Sequence, residues 1–430
     1  MNRPHSKRAW GLRMSEKRIR VGVVGVGRGQ SFARAAEPAG MELVALCDLW
    51  EEKLVEAGKH FGVATYTDYD RFLEHDMDAV VLANYYHEHA PFAIRAFEAG
   101  KNVMSECIAC KTPAEGVALA RAFEKHGKVY MFAENYAYIL YVQEMRRLYQ
   151  AGEIGEVQYA EGEYNHPIDN VGYNRLAPGA NHWRNHIPPT YYPTHAMSPI
   201  MYVTETRPVS VNALSIVRSD KDEQNLHVRH GDPGAIILCR MDNGSVARLM
   251  GLCLRGHSVW YRFHGTRGEM ENLRHGNQSM MRVVHEPWDM KPGDVKEKIY
   301  LPEFPAHADL AKQSGHGGGD FFMNFHFAEA IRTGEQPWMN VYRALDMTLV
   351  AFQAWRSCLD EGRPYEIPDF RDENVRKRYE NDDFSPFPED RNPESSSGQP
   401  WPSIKGELIP PPEALEFAKK VWAEMGYHGS

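Results

Sequence analysis

One short segment gathers Tyr164, His166, Tyr173, His182, Trp183, Arg184, His186, Tyr191, Tyr192 and His195. Imidazoles titrate near neutral pH and move protons, and a tyrosine beside cationic groups serves as a base when its pKa is lowered. Titratable groups mixed with flat aromatic faces suit a sugar. Each residue alone has a plainer reading, the tyrosines as core with satisfied hydroxyls and the histidines as solvated loop residues. Their clustering is what points to a site. A second set lies near the start, where a β-branched run over 19–25 breaks into Gly25, Gly27 and Gly29, with Arg28 between, and then reads as a helix. Gly25 and Gly27 allow a tight turn and close approach to a pyrophosphate, whose charge would rest on the free N–H groups of the next helix. The third position of that fingerprint holds Gln30. About twenty residues on, a second strand ends at Asp48, placed to accept bonds from a ribose diol and so to favour NAD over NADP. The alternative is an ordinary strand-to-helix turn with Asp48 capping the next helix.

The elements that must position these residues follow from periodicity. Strands over 19–25, 42–47, 79–84, 102–105 and 128–133 alternate with helices over 30–37, 50–61, 89–99 and 113–126, which predicts a doubly wound parallel sheet. Ligands then collect at the strand carboxyl ends. The 79–84 strand leads into Asn84, His87 and His89, and the 102–105 strand into Glu106, Cys107 and Cys110, so both ends face the cofactor edge. After a helix over 139–151 the texture changes to longer alternating strands over 157–164 and 209–217, then a hairpin of 235–241 and 245–252 turned at Asp242, Asn243 and Gly244. The fold expected is α/β: an N-terminal Rossmann sheet, then a C-terminal α+β domain with a large, open, mainly antiparallel sheet. Its parts are a flexible 1–17, an NAD-binding domain over 18–137, a substrate and oligomerisation domain over 138–370 with a helix over 340–361 packing back on the first, and a C-terminal arm with a short helix over 371–430. The stretch 385–412, rich in Pro, Ser and Glu, reads as loosely ordered.

The 430 residues exceed what one core usually serves. A formal charge of -9 repels phosphate backbones and anionic membranes, so neither nucleic acid nor a membrane is expected as partner. Six cysteines in so long a chain are too few for a disulfide framework and indicate a reducing cytoplasm. Cys107 and Cys110 form a C-x-x-C without a second ligand pair at zinc spacing, so no metal is expected. The basic N-terminus lacks an apolar core for a signal peptide, and Met14 competes with Met1 as the start. The antiparallel sheet and arm suggest a homodimer or homotetramer.

His89, Ala99, Gly100, Lys101 and Glu106 resemble the Gfo/Idh/MocA oxidoreductase family at its usual spacing. The lysine and proline that follow the family's glutamate are replaced by Cys107 and Ile108, which tells against ordinary lysine-assisted alcohol oxidation. A narrower resemblance, over most of the chain, is to NAD-dependent glycosidases of the alpha-N-acetylgalactosaminidase type, a branch that also lacks that lysine. It rests on Glu134, Asn135 and Tyr138; Glu161, Gly162, Tyr164 and His166; Tyr192, Thr194, His195 and Pro199; His316, Asp320 and Phe321; Val341 and Tyr342; and Ile367 through Phe370. That likeness implies that Glu134, Tyr164, Tyr192 and His195 line the pocket for substrate and nicotinamide and that Arg184 binds substrate, with His166 and His316 beside them. From the residues alone, Glu134 could instead cap helix 139–151, and Asp320 could be a helix N-cap behind a tight glycine loop.

The reaction implied is cleavage by transient oxidation. Bound NAD takes hydride from the sugar C3, the ketone acidifies the C2 proton, Tyr164 removes that proton, and the aglycone leaves with His195 as acid. Water then adds and the hydride is returned. The rivals are a sugar or cyclitol dehydrogenase that releases its oxidised product, and a cofactor-binding sensor without catalysis.

Overall fold

A computed structural model describes residues 18–219, 221–222, 226–395 and 397–427. The expectations for 1–17, Met1 and Met14 included, and for 428–430 lie outside the described residues.

Strands β1 (Ile19–Val24), β2 (Met41–Cys47), β3 (Ala64–Tyr66), β4 (Ala79–Leu82), β5 (Asn102–Ser105) and β6 (Tyr130–Phe132) form one parallel sheet in the order β3-β2-β1-β4-β5-β6. Unbroken apolar runs such as Ala79–Leu82 fit strands covered on both faces. The helices between them carry their own boundary signals. In Pro113–His126 the Thr112 side chain accepts from the Glu115 N–H, Pro113 opens the first turn, and Gly127 ends the helix at φ 60°. Strand order reverses between β1 and β4, which opens a crevice at their carboxyl ends.

The second sheet has nine strands: β7 (Val157–Asn165), β8 (Pro208–Ile216), β9 (Gly234–Met241), β10 (Val246–Leu252), β11 (Ser258–Gly265), β12 (Gly268–Asn272), β13 (Met281–His285), β14 (Glu297–Tyr300) and β15 (Tyr365–Glu366). Their order is β14-β13-β12-β11-β7-β10-β9-β8-β15, antiparallel throughout except for the β7–β10 pair. Helices cover one face. The other carries a ladder of ion pairs, Arg248 with Glu161 and Glu163 and Arg282 with Glu269 and Glu271. The helix Val341–Leu359 returns to the first sheet, where Thr348 Oγ1 accepts from the Ala109 N–H. One continuous hydrophobic core runs through both sheets.

Three features differ from the sequence expectation. Strands β3 and β11 to β15 are additional; β14 is almost wholly exposed, so burial imposes no apolar pattern on it. The segment carrying His195 is a helix, Thr194–Thr204, that contains Pro199, a residue whose missing N–H argues against a helix when only sequence is read. The arm over 385–412 is anchored at buried points, around 385–387 and 402–403. Phe387 is 1% exposed, and the buried Asp232 carboxylate accepts from Ser403 Oγ and the Ile404 N–H. Beyond it the helix Pro412–Glu424 docks through Trp422, whose indole N–H donates to the Asn174 carbonyl. Among the described residues no helix is long and apolar enough to cross a membrane.

Candidate active site

Three strand ends build the floor. Gly25 follows β1 at φ 91°, and a Cβ there would stand 2.3 Å from the Ala83 carbonyl oxygen, so the β1 turn can press against the end of β4 only as glycine. A Cβ on Gly27 would meet nothing within 4 Å, which leaves a bare backbone facing open space. Asp48, at the end of β2, accepts from the Val26 N–H at 2.6 Å and the Trp50 N–H at 2.8 Å. The N-cap of the helix Glu51–Phe61 is Trp50 and not Asp48, whose carboxylate instead joins the Trp50 N–H to the glycine turn. Asn84 donates to Glu88, and its buried Oδ1 has no partner among the described residues. A glycine cradle, an acid at the second strand and an orphaned acceptor at the switch point together fit a dinucleotide, with Gly25, Gly27, Gly29, Asp48 and Asn84 to hold it.

Arg28 does not reach into solvent. Its Nε donates to Glu106 at 2.7 Å and its two terminal nitrogens grip Asp320 at 2.7 and 2.9 Å. Asp320 is therefore not an N-cap, a place taken by Gly318; its carboxylate pins the glycine turn to the helix Gly319–Thr333. Burial alone would raise the Asp320 pKa, but Arg28 and His316 hold it well below the usual carboxylate range. His316 donates to Asp320 at 3.0 Å, which joins it to the Arg28 clamp. His89 is 1% exposed and binds the Ile108 carbonyl through Nδ1, so it supports the turn after β5 from below. His87 lies against Phe387 of the arm, its pKa pushed down to about 4 by burial and by Lys111.

Above this floor the second half delivers its side chains. Gly162 in β7 is the enabling residue, because a Cβ there would stand 2.1 Å from the Ala196 carbonyl oxygen. The helix Thr194–Thr204 can therefore lie directly on the strand and bring His195 to Tyr164, with ring centroids 4.6 Å apart. Tyr261 fixes that helix start by donating to the His195 carbonyl at 2.7 Å. The loop before it is docked by Tyr86, which stacks on Trp183 at 4.5 Å and donates to the Tyr191 carbonyl. Arg184 then lies 4.5 Å over Trp183 and 5.8 Å from the Tyr192 ring. Tyr192 packs edge-on to His195, and His166 stacks on Tyr164 at 5.9 Å.

At the centre is a buried carboxylate. Glu134, 0% exposed at the end of β6, lies 2.8 and 2.9 Å from His195 Nδ1 and accepts from the Cys107 thiol at 3.1 Å. It also accepts from the Tyr136 N–H, so the local turn it caps is Asn135–Tyr138 and not the helix Leu140–Gln150. Burial would raise the Glu134 pKa, yet His195 and these hydrogen bonds keep it below its ordinary value. The Cys107 thiol is pushed far up by burial and by the Glu134 and Glu106 carboxylates, which keeps it protonated. Cys107, Glu134 and His195 present ligand atoms within 4.8 Å of one another, a donor set that could hold a divalent cation. The hydrogen bonds account for the same closeness without one. With Nδ1 given to Glu134, Nε2 is the His195 nitrogen available to a substrate.

One expectation is corrected. Tyr164 is no low-pKa base at rest: burial, then Tyr136, drives its pKa up, and Arg184 pulls the other way with less effect. Tyr192 is likewise raised, first by burial. His166 is lowered by burial and by His257, so it stands neutral. Sequence reasoning also missed Tyr136, whose ring lies 4.4 Å from His195. Its only signal was adjacency to Glu134 and Asn135.

Residues 19–134 match the oxidoreductase family with an NAD-binding Rossmann fold, and residues 210–377 match the glycosyl hydrolase 109 C-terminal domain. Glycosyl hydrolase family 109 protein 1 of Bacteroides fragilis is 27% identical over 400 residues, covering 82% of this chain and 85% of that protein. Alpha-N-acetylgalactosaminidase of Tannerella forsythia is 25% identical over 413 residues, covering 83% and 87%. Among solved structures, an oxidoreductase domain protein from Kribbella flavida superposes with TM-score 0.69 at 20% identity, covering 82% of this chain and all of that one. A levoglucosan dehydrogenase complexed with NADH and levoglucosan gives 0.67 at 20%, with the same coverage.

Proposed function

We propose, from the premise that this chain joins an NAD-binding Rossmann domain of the Gfo/Idh/MocA type to a C-terminal domain of the glycosyl hydrolase 109 type, that it is an NAD-dependent glycosidase acting through a transiently oxidised sugar. The observation that carries this reading is the engagement of both carboxylates at the site. Ordinary glycosidases need two carboxyl groups flanking the bond, one as acid and one as nucleophile or base. Here Glu106 is tied to Arg28 and the Cys107 N–H, and Glu134 to His195 and the Cys107 thiol. Neither is available for that work, while imidazoles and phenols crowd the same space.

NAD, when bound, supplies a reversible hydride acceptor for the sugar C3. The chain's own groups supply the proton transfers. His195 Nε2 takes the C2 proton, and the imidazolium so formed is stabilised by the Glu134 carboxylate at Nδ1. Tyr164, held protonated by burial, donates to the departing aglycone oxygen and so becomes the phenolate that later deprotonates the incoming water. His195, its proton exchanged with solvent water, then reprotonates C2. His166, neutral and exposed to solvent, accepts the C3 hydroxyl proton and gives it back. Arg184 and the Tyr192 face position the ring. Residues 18–137 thus act as the cofactor half and 138–370 as the substrate half.

The test is turnover in heavy water. Deuterium should enter at C2 of the released sugar with no net rise in absorbance at 340 nm. Cleavage without C2 exchange would discard the mechanism, and steady growth at 340 nm would favour a sugar or cyclitol dehydrogenase. We place the enzyme in the cytoplasm, where six unpaired thiols persist. We also infer a homodimer or homotetramer formed through the nine-stranded sheet, where Leu214 and Leu238 on neighbouring strands are 62% and 43% exposed. Light scattering behind size exclusion reads this directly, and a monomeric mass would refute it.

A further inference from the structure

Where β7, β8 and β10 end and β9 begins, a cavity of about 370 Å³ opens beside the sugar site. Its charged lining comprises Arg218, Arg229 and Arg255 with His227, against Asp169 and Asp222. Both carboxylates are engaged. Asp169 accepts from the Gly172 N–H at the start of the helix Asn170–Leu176, and Asp222 pairs with Arg255 at 2.8 Å. Arg229 is the unusual member. It is 5% exposed, yet among the described residues its buried Nε and Nη2 have no hydrogen-bond partner. Two guanidinium nitrogens withdrawn from water without a partner cost free energy, which a bound anion would offset. Its planar fork matches a carboxylate, sulfate or phosphate.

The cavity shares a wall with the sugar pocket. Pro167 of its lining follows His166, which stacks on Tyr164. On another side Tyr173 stacks on His227 at 4.4 Å and donates its hydroxyl to the Arg184 carbonyl at 3.1 Å. The cavity therefore adjoins the segments that carry His166 and Arg184, and Arg229 is part of its lining.

We propose that this cavity is an anion subsite and that the substrate is an acidic glycoside, its carboxylate or sulfate carried by the unit next to the cleaved sugar and bound by Arg229. The substrate assignment rests on the glycosidase reading; the anion site does not. Calorimetric titration with inorganic sulfate is the first arm, on the full chain. Wild type should bind saturably, and Arg229→Gln should bind at least tenfold more weakly. Without sulfate, Arg229→Gln should melt no lower than wild type, since it removes an unpaired buried charge. Arg255→Gln, at the exposed rim, is the second variant and should weaken sulfate several-fold. The kinetic arm compares neutral, uronate-bearing and sulfated glycosides. Arg229→Gln should raise KM for the acidic ones at least tenfold and leave the neutral one unchanged, and whichever acid shows the larger change identifies the group. Absent or variant-independent sulfate binding overturns the subsite. Equal effects on neutral and acidic glycosides overturn the substrate class. Sulfate bound at Arg229 with no glycoside cleaved sinks the glycosidase reading, and the acidic-glycoside assignment with it.

Discussion

Glu134→Gln isolates the carboxylate on which the proposed proton chemistry depends. The side chain is wholly buried and accepts from His195 Nδ1 and the Cys107 thiol, so the amide keeps the volume but loses the charge. A hydrogen bond to an ionised group contributes about 1.5–3 kcal/mol, and here most of it is felt when His195 becomes a cation. If about 2–3 kcal/mol of transition-state stabilisation is lost, kcat falls about 30-fold to 150-fold, at roughly 1.4 kcal/mol per factor of ten. KM should move little, because Glu134 reaches the sugar only through His195. The assay is aglycone release from a chromogenic glycoside, run beside C2 deuterium exchange and an NAD titration by fluorescence quenching. Exchange should slow in step with release, and NAD affinity should stay within about twofold on the same estimate. A variant that folds, binds NAD and keeps kcat within about threefold of wild type would refute the assignment of Glu134 and His195 as the proton-handling pair.

The glycine turn gives a paired prediction. Gly25→Ala forces a Cβ against the Ala83 carbonyl at positive φ and should lower the melting temperature sharply, whereas Gly27→Ala, with open space around it, should leave melting unchanged and weaken NAD about tenfold or more. Equal melting of the two alanine variants would contradict the geometry. Asp320→Asn tests the clamp on Arg28. Because the folded-state pKa is depressed, its stabilisation is complete above the unfolded value of about 3.9 and disappears as pH falls through the lower folded value. The melting deficit of Asp320→Asn should thus be full at neutral pH and shrink below about pH 4; a deficit independent of pH would exclude the ion pair as its source. Dialysis against a chelator should leave activity intact, since hydrogen bonds explain the Cys107, Glu134 and His195 cluster. Parallel loss of activity and of one bound metal per chain would reverse that conclusion.

Much of the fold was legible because its pattern is local. The first sheet is buried on both faces, so its strands read as unbroken apolar runs, and Thr112, Pro113 and Gly127 mark helix ends by chemistry confined to a few residues. The strand β14 was not legible, since it is exposed along most of its length and its ion pair to Arg282 leaves no apolar period behind. The titratable and aromatic residues of the candidate site were visible by type, and the glycine turn with Asp48 by spacing.

What the chain alone determined was which chemical groups exist and which secondary elements carry them, because period and capping are set by near neighbours. Partnership was decided in three dimensions. Arg28 meets Asp320 and Glu134 meets His195 across long separations in sequence, and only packing of the second sheet and its helices over the first brings them together. Protonation follows the same rule: burial pushes the Tyr164 pKa up, and it leaves Arg229 Nε and Nη2 without a partner among the described residues. Solvent exclusion and distance set those properties, and neither is written in the order of residues.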